Sequence, residues 1–581
     1  MRTTVVAGAL LLAAAVSGSP AAASASGTGG RFDRPQDGFA PQDTVLRAGG
    51  PTEAGLAPEP IAAAVQDTTA GTEPAAGREH PMYAGAVSLL AHDGVVVSHE
   101  ATGHELRYAD GSGTELPPHQ REPAGPDTIF DVASVTKLFT SIAVLQLVED
   151  GEIELDAPVA AYVPEFAAGG KRTITVEQLL THTSGLPAEV KLWDLPPEQR
   201  IPEVLRLEPE NPPGTTYTYS DPNMITLGVL VERVSGSALD EVVAERITQP
   251  LGLEDTGFTP PRHTWDRIAA TEFQRDPPRG MVRGEVHDEN AWSLGGVAGH
   301  AGVFSTAREL AVLGQALLNG GTYDGRRILE PDTVATMLED YNRDFPGHAH
   351  GLGFELDQRW YMGGLSAPRT AGHTGYTGTS LVLDPASRSV AVLLTNRVHP
   401  SRSWGSNNPA RVALAQGLAE SLAVPPRNGH HSWYAGPRGA AVLSTRELGR
   451  AEGRVEVSFD AFVDTQNDSD GTDPLSVEAS TDGGGTWRPL SLSAAGDGAP
   501  DQPRESLAGA GHRAWWRVEG SFRVEDASPL RLRWRYAPDG AYVGRGVHVD
   551  TIHVSDGNGE LLDAERHPGR LVGDGWVPTS R

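Results

Sequence analysis

The sequence predicts an α+β domain followed by an all-β sandwich, and three observations carry that expectation. Two apolar strand pairs, one early and one far downstream, bracket a run of helical patterns. That arrangement implies one antiparallel sheet completed by both ends of a domain and packed against helices. Beyond Leu422 the texture changes to short alternating runs separated by Gly, Asp and Pro turns, the pattern of a sandwich. The third observation is length: 581 residues are too many for one ordinary domain.

In chain order, residues 1–25 read as an export signal. Arg2 supplies the charged start, Val5 to Val16 a short apolar stretch, and Ala23-Ser24-Ala25 a small-residue cleavage site. The mature chain is therefore expected outside the cytoplasm, with no later apolar run long enough to span a membrane. The chain has no cysteine, so neither a disulfide framework nor a Cys-linked lipid anchor is available to it. Residues 26–43, rich in Ser, Gly, Pro and Asp, read as a flexible leader, and 44–424 as the α+β domain. Within it, "YAGAVSLLAHDGVVVSH" (83–99) reads as two strands joined at Asp93-Gly94, a dipeptide suited to a tight hairpin. "TSLVLDPASRSVAVLLTN" (379–396) gives the second pair around Asp384-Pro385, and helical patterns cover 134–150, 222–234 and 306–318. Residues 425–435 read as a linker and 436–581 as the sandwich. A net charge of -29 and a pI near 5.0 exclude a nucleic-acid footprint, which needs clustered basic surface.

The chemistry begins with a scarce residue. Of 47 basic residues only Lys137, Lys171 and Lys191 are lysine. Lys137 stands in "FDVASVTKLF", three residues after Ser134, in a segment apolar on nearly every face and closed by Gly151, which predicts a buried helix. At that spacing the two side chains share a face. A serine hydroxyl needs a neighbour to take its proton, and a buried lysine can lose its own, whereas arginine cannot. The start of the helix also offers free backbone N–H groups to a developing oxyanion. Further along, "TYTYSDPN" places Tyr219-Ser220-Asp221 at the start of a helix, and "AGHTGYTGTSLVLD" places His373-Thr374-Gly375 before a strand. No Gly-x-Ser-x-Gly nucleophile elbow is present.

Ser-x-x-Lys, Tyr-Ser-Asp and His-Thr-Gly, in that order, resemble the serine β-lactamase and DD-peptidase superfamily, above all its class C β-lactamase-like branch. "LLTHTSGLP" (179–187), "GHAGVFSTARELA" (299–311) and "HGLGFE" (350–355) extend the resemblance across roughly residues 50 to 422. It implies a β-lactamase/transpeptidase-like fold with Ser134 as the acylated nucleophile and Lys137 and Tyr219 sharing proton handling. His373 would stand beside the tyrosine hydroxyl. The backbone N–H groups of Ser134 and Tyr376 would form the oxyanion hole, with Asp221, Thr374 and Gly375 binding substrate and the strand after Gly375 pairing with it. It implies no metal and no other cofactor. Two positions depart from the family pattern. Asp221 stands where many members have Asn, and an ionised Asp only accepts hydrogen bonds. His373 stands where many have Lys, so activity is expected to change across about pH 6 to 7, around the ordinary imidazole pKa of about 6.5. The remaining polar clusters have plain readings: Thr181-His182-Thr183-Ser184-Gly185 as a helix-ending turn and His300 as structural.

The implied function is an exported serine hydrolase acting on amides of D-amino-acid cell-wall peptides or on small acyl esters. A β-lactamase proper is one alternative, and a non-catalytic penicillin-binding or envelope glycan-binding protein is the other. From about residue 430 the chain resembles the jelly-roll-like modules appended to secreted hydrolases, including those ending the immune inhibitor A metallopeptidases. The residues carrying this are "STDGGGTWRPL" (480–490) and "YVGRGVHVDTIHVSDGNG" (542–559). Trp487, Trp515, Trp516, Trp534 and Trp576 are candidates for a platform on peptidoglycan or another surface glycan, with most of them expected in the core. The acidic loop "DTQNDSDGTDP" (464–474) has enough oxygen ligands for calcium but lacks the EF-hand pattern, so a solvated loop is its default.

Overall fold

The computed structural model describes residues 30–467, 471–539 and 544–581. The export signal of 1–25 lies outside the described residues, as does part of the acidic loop read as a calcium candidate.

The first domain is built from helices α1 (Pro58–Ala70), α2 (Thr136–Glu149), α3 (Asp221–Ser235), α4 (Ala307–Leu318) and α5 (Asn408–Ser421). Its main strands are β1 (Gly85–His92), β2 (Val95–Leu106), β3 (Ala371–Thr374), β4 (Ser380–Asp384) and β5 (Ser389–Thr395). They form an 8-stranded sheet in the order Arg47–Ala48, β2, β1, β5, β4, β3, Glu355–Leu356, with Glu122–Pro123 pairing β2. The β1–β5 pairing joins the two ends of the domain, as the two sequence hairpins imply. Asp93 (φ 48) and Gly94 (φ 78) make the β1–β2 turn, whose left-handed residues match the strand twist. One pairing departs from the antiparallel expectation: Arg47–Ala48 runs parallel to β2.

Strand β1 is buried along its whole length because helices cover both faces of the sheet, so it reads as a nearly continuous apolar run. Its alternate residues Val87, Leu89 and Ala91 join the core around α2 and α4, while Ala86 and Leu90 join the core around α1 and α5. Residues Thr136 to Leu147 of α2 are all buried, which explains why this helix has no polar face.

The C-terminal region is all-β, a 7-stranded and a 6-stranded antiparallel sheet around their own core. Trp516, Trp534 and Trp576 are buried in that core, so they form no surface platform. Trp515 is partly buried at the seam with the first domain, where it packs on Phe462 and His548.

Two boundaries differ from expectation. The leader assigned to 26–43 is packed from residue 30 onward: the Phe32 N–H donates to Ala423 O (2.8 Å) and that of Ala40 to Leu318 O (2.8 Å). Phe32 lies under the guanidinium groups of Arg513 (4.3 Å) and Arg545 (5.1 Å) from the sandwich. A segment with so few apolar residues is held by partners far away in sequence, which composition does not reveal. The linker assigned to 425–435 is shorter, because Ser432–Ala435 is already a sandwich strand.

Candidate active site

Ser134 sits in a tight turn, Ala133–Val135, that leads directly into α2. Ala133 is left-handed (φ 48), a conformation that costs a residue with a Cβ and persists only where surrounding structure fixes it. The fixing group is Asp131, whose carboxylate accepts the Ala133 N–H (2.8 Å) and, with its other oxygen, the His287 N–H (2.6 Å). The turn after β3 is tied to the same spot. Thr377 Oγ1 donates to Asp131 O (2.7 Å) and Thr379 Oγ1 to Val132 O (2.9 Å). A Cβ on residue 375 would fall 2.3 Å from Val132 O, so only glycine lets the two segments approach.

Lys137 lies one turn beyond Ser134, 1% exposed, and its ammonium is surrounded by oxygens. Nζ donates to Ser134 Oγ (2.9 Å) and His300 O (3.2 Å) and pairs with Asp221 Oδ1 (2.8 Å). It also lies 4.8 Å from the centre of the Tyr219 ring. Burial favours the neutral amine, but the Asp221 carboxylate and Tyr219 outweigh it and hold Lys137 above the ordinary lysine range. Burial, reinforced by Asp221 and opposed by the Lys137 charge, pushes the Tyr219 phenol up to about 12. The resting state is therefore Lys137 ammonium beside neutral Tyr219. The expectation that Lys137 stands ready without its proton is corrected: the carboxylate of Asp221 keeps it charged. Asp221 turns toward Lys137 and is absent from the cleft lining, so the substrate contact expected of it is not seen.

His373 lies near the end of β3, and a turn after Gly375 separates it from β4, the strand that the sequence places downstream of it. Its Nδ1 donates to Thr374 O (2.7 Å), which leaves Nε2 as an acceptor, buried and without a protein partner among the described residues. Burial first, then the charge of Lys137, pushes the imidazole down to about 3. The expected titration across pH 6 to 7 is thus overturned, because a dry site beside an ammonium disfavours a second cation.

The three sequence segments do converge. A cleft of about 570 Å³ is lined by Ser134, Tyr219, His373, Tyr376, Arg397 and Arg411, together with Thr374 and Gly375. Neither the Ser134 nor the Tyr376 N–H donates to another backbone group among the described residues, as an oxyanion hole requires. Arg397 donates to the carbonyls of Tyr376, Arg402 and Gly405, and Arg411 to those of Gly375 and Thr379. No carboxylate lies within ion-pair distance of either among the described residues. Asp221, Asp288 and His300 bring possible metal-ligand atoms together, yet Asp221 is engaged by Lys137 and Asp288 by His300 Nε2 (2.9 Å).

Sequence reasoning missed Asp131 and the two arginines. His300 is structural, as read, but its carbonyl also holds Lys137. The sequence offers one usable signal, Asp131 at the start of the quoted stretch; the arginines are unremarkable in an arginine-rich chain.

The Beta-lactamase family matches residues 75–416. Proteins of Escherichia coli K12 and Salmonella typhimurium LT2, both named "Putative D-alanyl-D-alanine carboxypeptidase", are each 34% identical over 55% of this chain and 80% of their own length. Among solved structures, a penicillin-binding protein homologue from Caulobacter crescentus aligns with a TM-score of 0.49 at 25% identity, over 63% of this chain and 99% of its own. The family match spans more than half of the chain, and on that ground the chain belongs to the Beta-lactamase family of hydrolytic enzymes.

Proposed function

We propose that the chain is an exported DD-carboxypeptidase that forms an acyl-enzyme on Ser134 and releases the terminal residue of D-amino-acid cell-wall peptides. The observation that carries this reading is the pair Arg397 and Arg411, neither within ion-pair distance of a carboxylate among the described residues, in the same cleft as Ser134 and Tyr219, where the carboxyl in the lining, Glu355, is pushed up to about 7 by burial. A cleft whose arginines outnumber its single carboxyl favours a substrate with a free carboxylate, which a C-terminal peptide has and a simple ester lacks. The names of the E. coli and Salmonella relatives support the same choice.

In this reading the reactive form is Tyr219 phenolate, stabilised by the Lys137 ammonium. Ser134 Oγ attacks the scissile carbonyl carbon as its proton passes to the phenolate, and the N–H groups of Ser134 and Tyr376 receive the oxyanion. Collapse breaks the C–N bond, and the departing amine takes the proton from Tyr219. Water then attacks the ester by the reverse proton path. Efficient β-lactam turnover is disfavoured, because Asp221 is an acceptor committed to Lys137 and cannot donate to a substrate amide.

The test is incubation of the mature protein with a peptide ending in D-Ala-D-Ala and with a short acyl ester. Release of D-Ala at a higher kcat/KM than ester hydrolysis, lost in Ser134→Ala, is expected. Ester hydrolysis without D-Ala release would replace the peptidase by an esterase, and no turnover of either would favour the non-catalytic binding protein.

A further inference from the structure

His182 ends the short helix Val176–Leu180 in a left-handed conformation (φ 57), at a place where helices ordinarily put glycine or asparagine. A histidine there is unfavourable for the backbone, so the reason for it lies in the side chain. That side chain is fully enclosed: besides the Tyr219 segment it meets Asn223 Nδ2, 3.5 Å from Nδ1, and the rings of His350 (centroids 5.3 Å) and Tyr217 (6.3 Å). Nδ1 accepts the Ser220 N–H (3.0 Å), while the carbonyl oxygen of the same residue accepts the Thr218 N–H (2.9 Å). The two bonds grip the chain immediately before and after Tyr219. Between them the imidazole lies against the Tyr219 ring itself, centroids 4.7 Å apart and planes tilted by 35°. Without the His182 side chain, the segment carrying the phenol would lose the acceptor of the Ser220 N–H and the surface behind its ring.

We infer that His182 is the positioning residue of Tyr219: its Nδ1 clamps the Ser220 N–H and so holds the phenol at Ser134 and Lys137. The inference rests on the serine-hydrolase reading of the site. Its chemical requirement is specific. An acceptor lone pair must sit where Nδ1 sits, so the ring works as the neutral tautomer with its proton on Nε2. Burial, then His350 and the charge of Lys137, hold the imidazole well below its ordinary pKa, which is consistent with that tautomer. Asparagine keeps the acceptor and the backbone conformation without the ring, since its Oδ1 lies at nearly the same distance from the backbone as Nδ1 and the residue tolerates positive φ. Glycine keeps the backbone conformation and removes both acceptor and ring.

The experiment compares wild type, His182→Gly and His182→Asn by the rate of labelling with a fluorophosphonate and a fluorescent penicillin, alongside thermal unfolding. A displaced phenol predicts that His182→Gly is labelled about tenfold to a hundredfold more slowly at saturating probe, with the half-saturating concentration unchanged. His182→Asn should recover to within about threefold of wild type, because the clamp is restored. Equal rates for wild type and His182→Gly would overturn the inference, as would a His182→Asn variant as slow as the glycine one. If His182→Gly does not fold, His182→Gln makes the same comparison, its acceptor lying one bond too far out. A wild-type protein that neither probe labels would instead overturn the acyl-enzyme reading on which the inference rests.

Discussion

Two buried ion pairs in this protein do opposite things. At the seam between the hydrolase domain and the sandwich, Arg513 pairs with Asp384 (2.7 Å), 1% and 0% exposed. The guanidinium also donates to Leu365 O (2.6 Å) and covers the Phe32 ring, while Thr370 Oγ1 donates to Asp384 (3.2 Å). Behind Ser134, Lys137 pairs with Asp221 (2.8 Å), 1% and 22% exposed, but the ammonium also touches Ser134 Oγ and faces Tyr219. The seam pair joins two domains through groups that have no other task. The Lys137 pair sits near a strained alanine and, among the described residues, a His373 nitrogen and two N–H groups without protein partners. A buried charge is structural when its neighbours only fix it, and chemical when a reactive atom is one of those neighbours.

Substitutions can sharpen that contrast. The largest expected effect is Lys137→Arg, which keeps the charge but brings a planar fork into a slot shaped for a single ammonium. Acylation should fall by about a thousandfold with little change in thermal stability, as proton transfer at the nucleophile is worth about two to four orders of magnitude. Measurement of probe labelling and unfolding on the same preparation checks this, and an active arginine variant would show that the charge alone suffices.

Arg513→Ala should do the reverse. Removing one partner leaves Asp384 buried and uncompensated, at a cost of about 3 kcal/mol or more, while kcat/KM stays near that of wild type. Denaturant unfolding together with the peptide assay decides this, and a kinetic defect would mean that the seam is coupled to the cleft.

Asp221→Asn comes next. The Asp221 charge raises both Lys137 and Tyr219, so its loss lowers both. With Tyr219 near 12, the phenolate fraction and the acylation rate climb as pH rises through the alkaline range. In the variant that climb should begin about one pH unit lower. A pH profile that does not move would deny Asp221 its hold on the pair.

The smallest expected effect is a null one. His373, pushed down to about 3, is neutral throughout the neutral range, so no inflection near pH 6 to 7 should belong to it. Wild type and His373→Asn should share the shape of their profiles there, and an inflection lost in the variant would show that His373 titrates after all.

Much of this was legible in the sequence where local pattern decides the outcome. The Asp93-Gly94 hairpin, the uniformly apolar helix after Ser134 and the alternating strands beyond Leu422 follow from periodicity and turn chemistry. The convergence of Ser134, Lys137, Tyr219 and His373 was implied by the family resemblance that their motifs carry. What escaped depends on contacts between distant segments. Phe32 is held by arginines more than four hundred residues away, so its segment reads as a loose leader. The protonation of Lys137 depends on where Asp221 points, and that of His373 on how dry the site is; neither is written in a motif. His182 stands in a hydroxyl-rich turn, and the turn reading was sound, since the residue does end a helix. Its second role emerges only when the segment carrying Tyr219 folds back over it.

The most direct test of the account is mass measurement of the intact protein after reaction with a penicillin and with a fluorophosphonate, followed by peptide mapping. The account predicts one covalent adduct per chain, on the peptide containing Ser134, absent from Ser134→Ala. An adduct that survives Ser134→Ala, or a wild-type chain that neither reagent modifies, would contradict it.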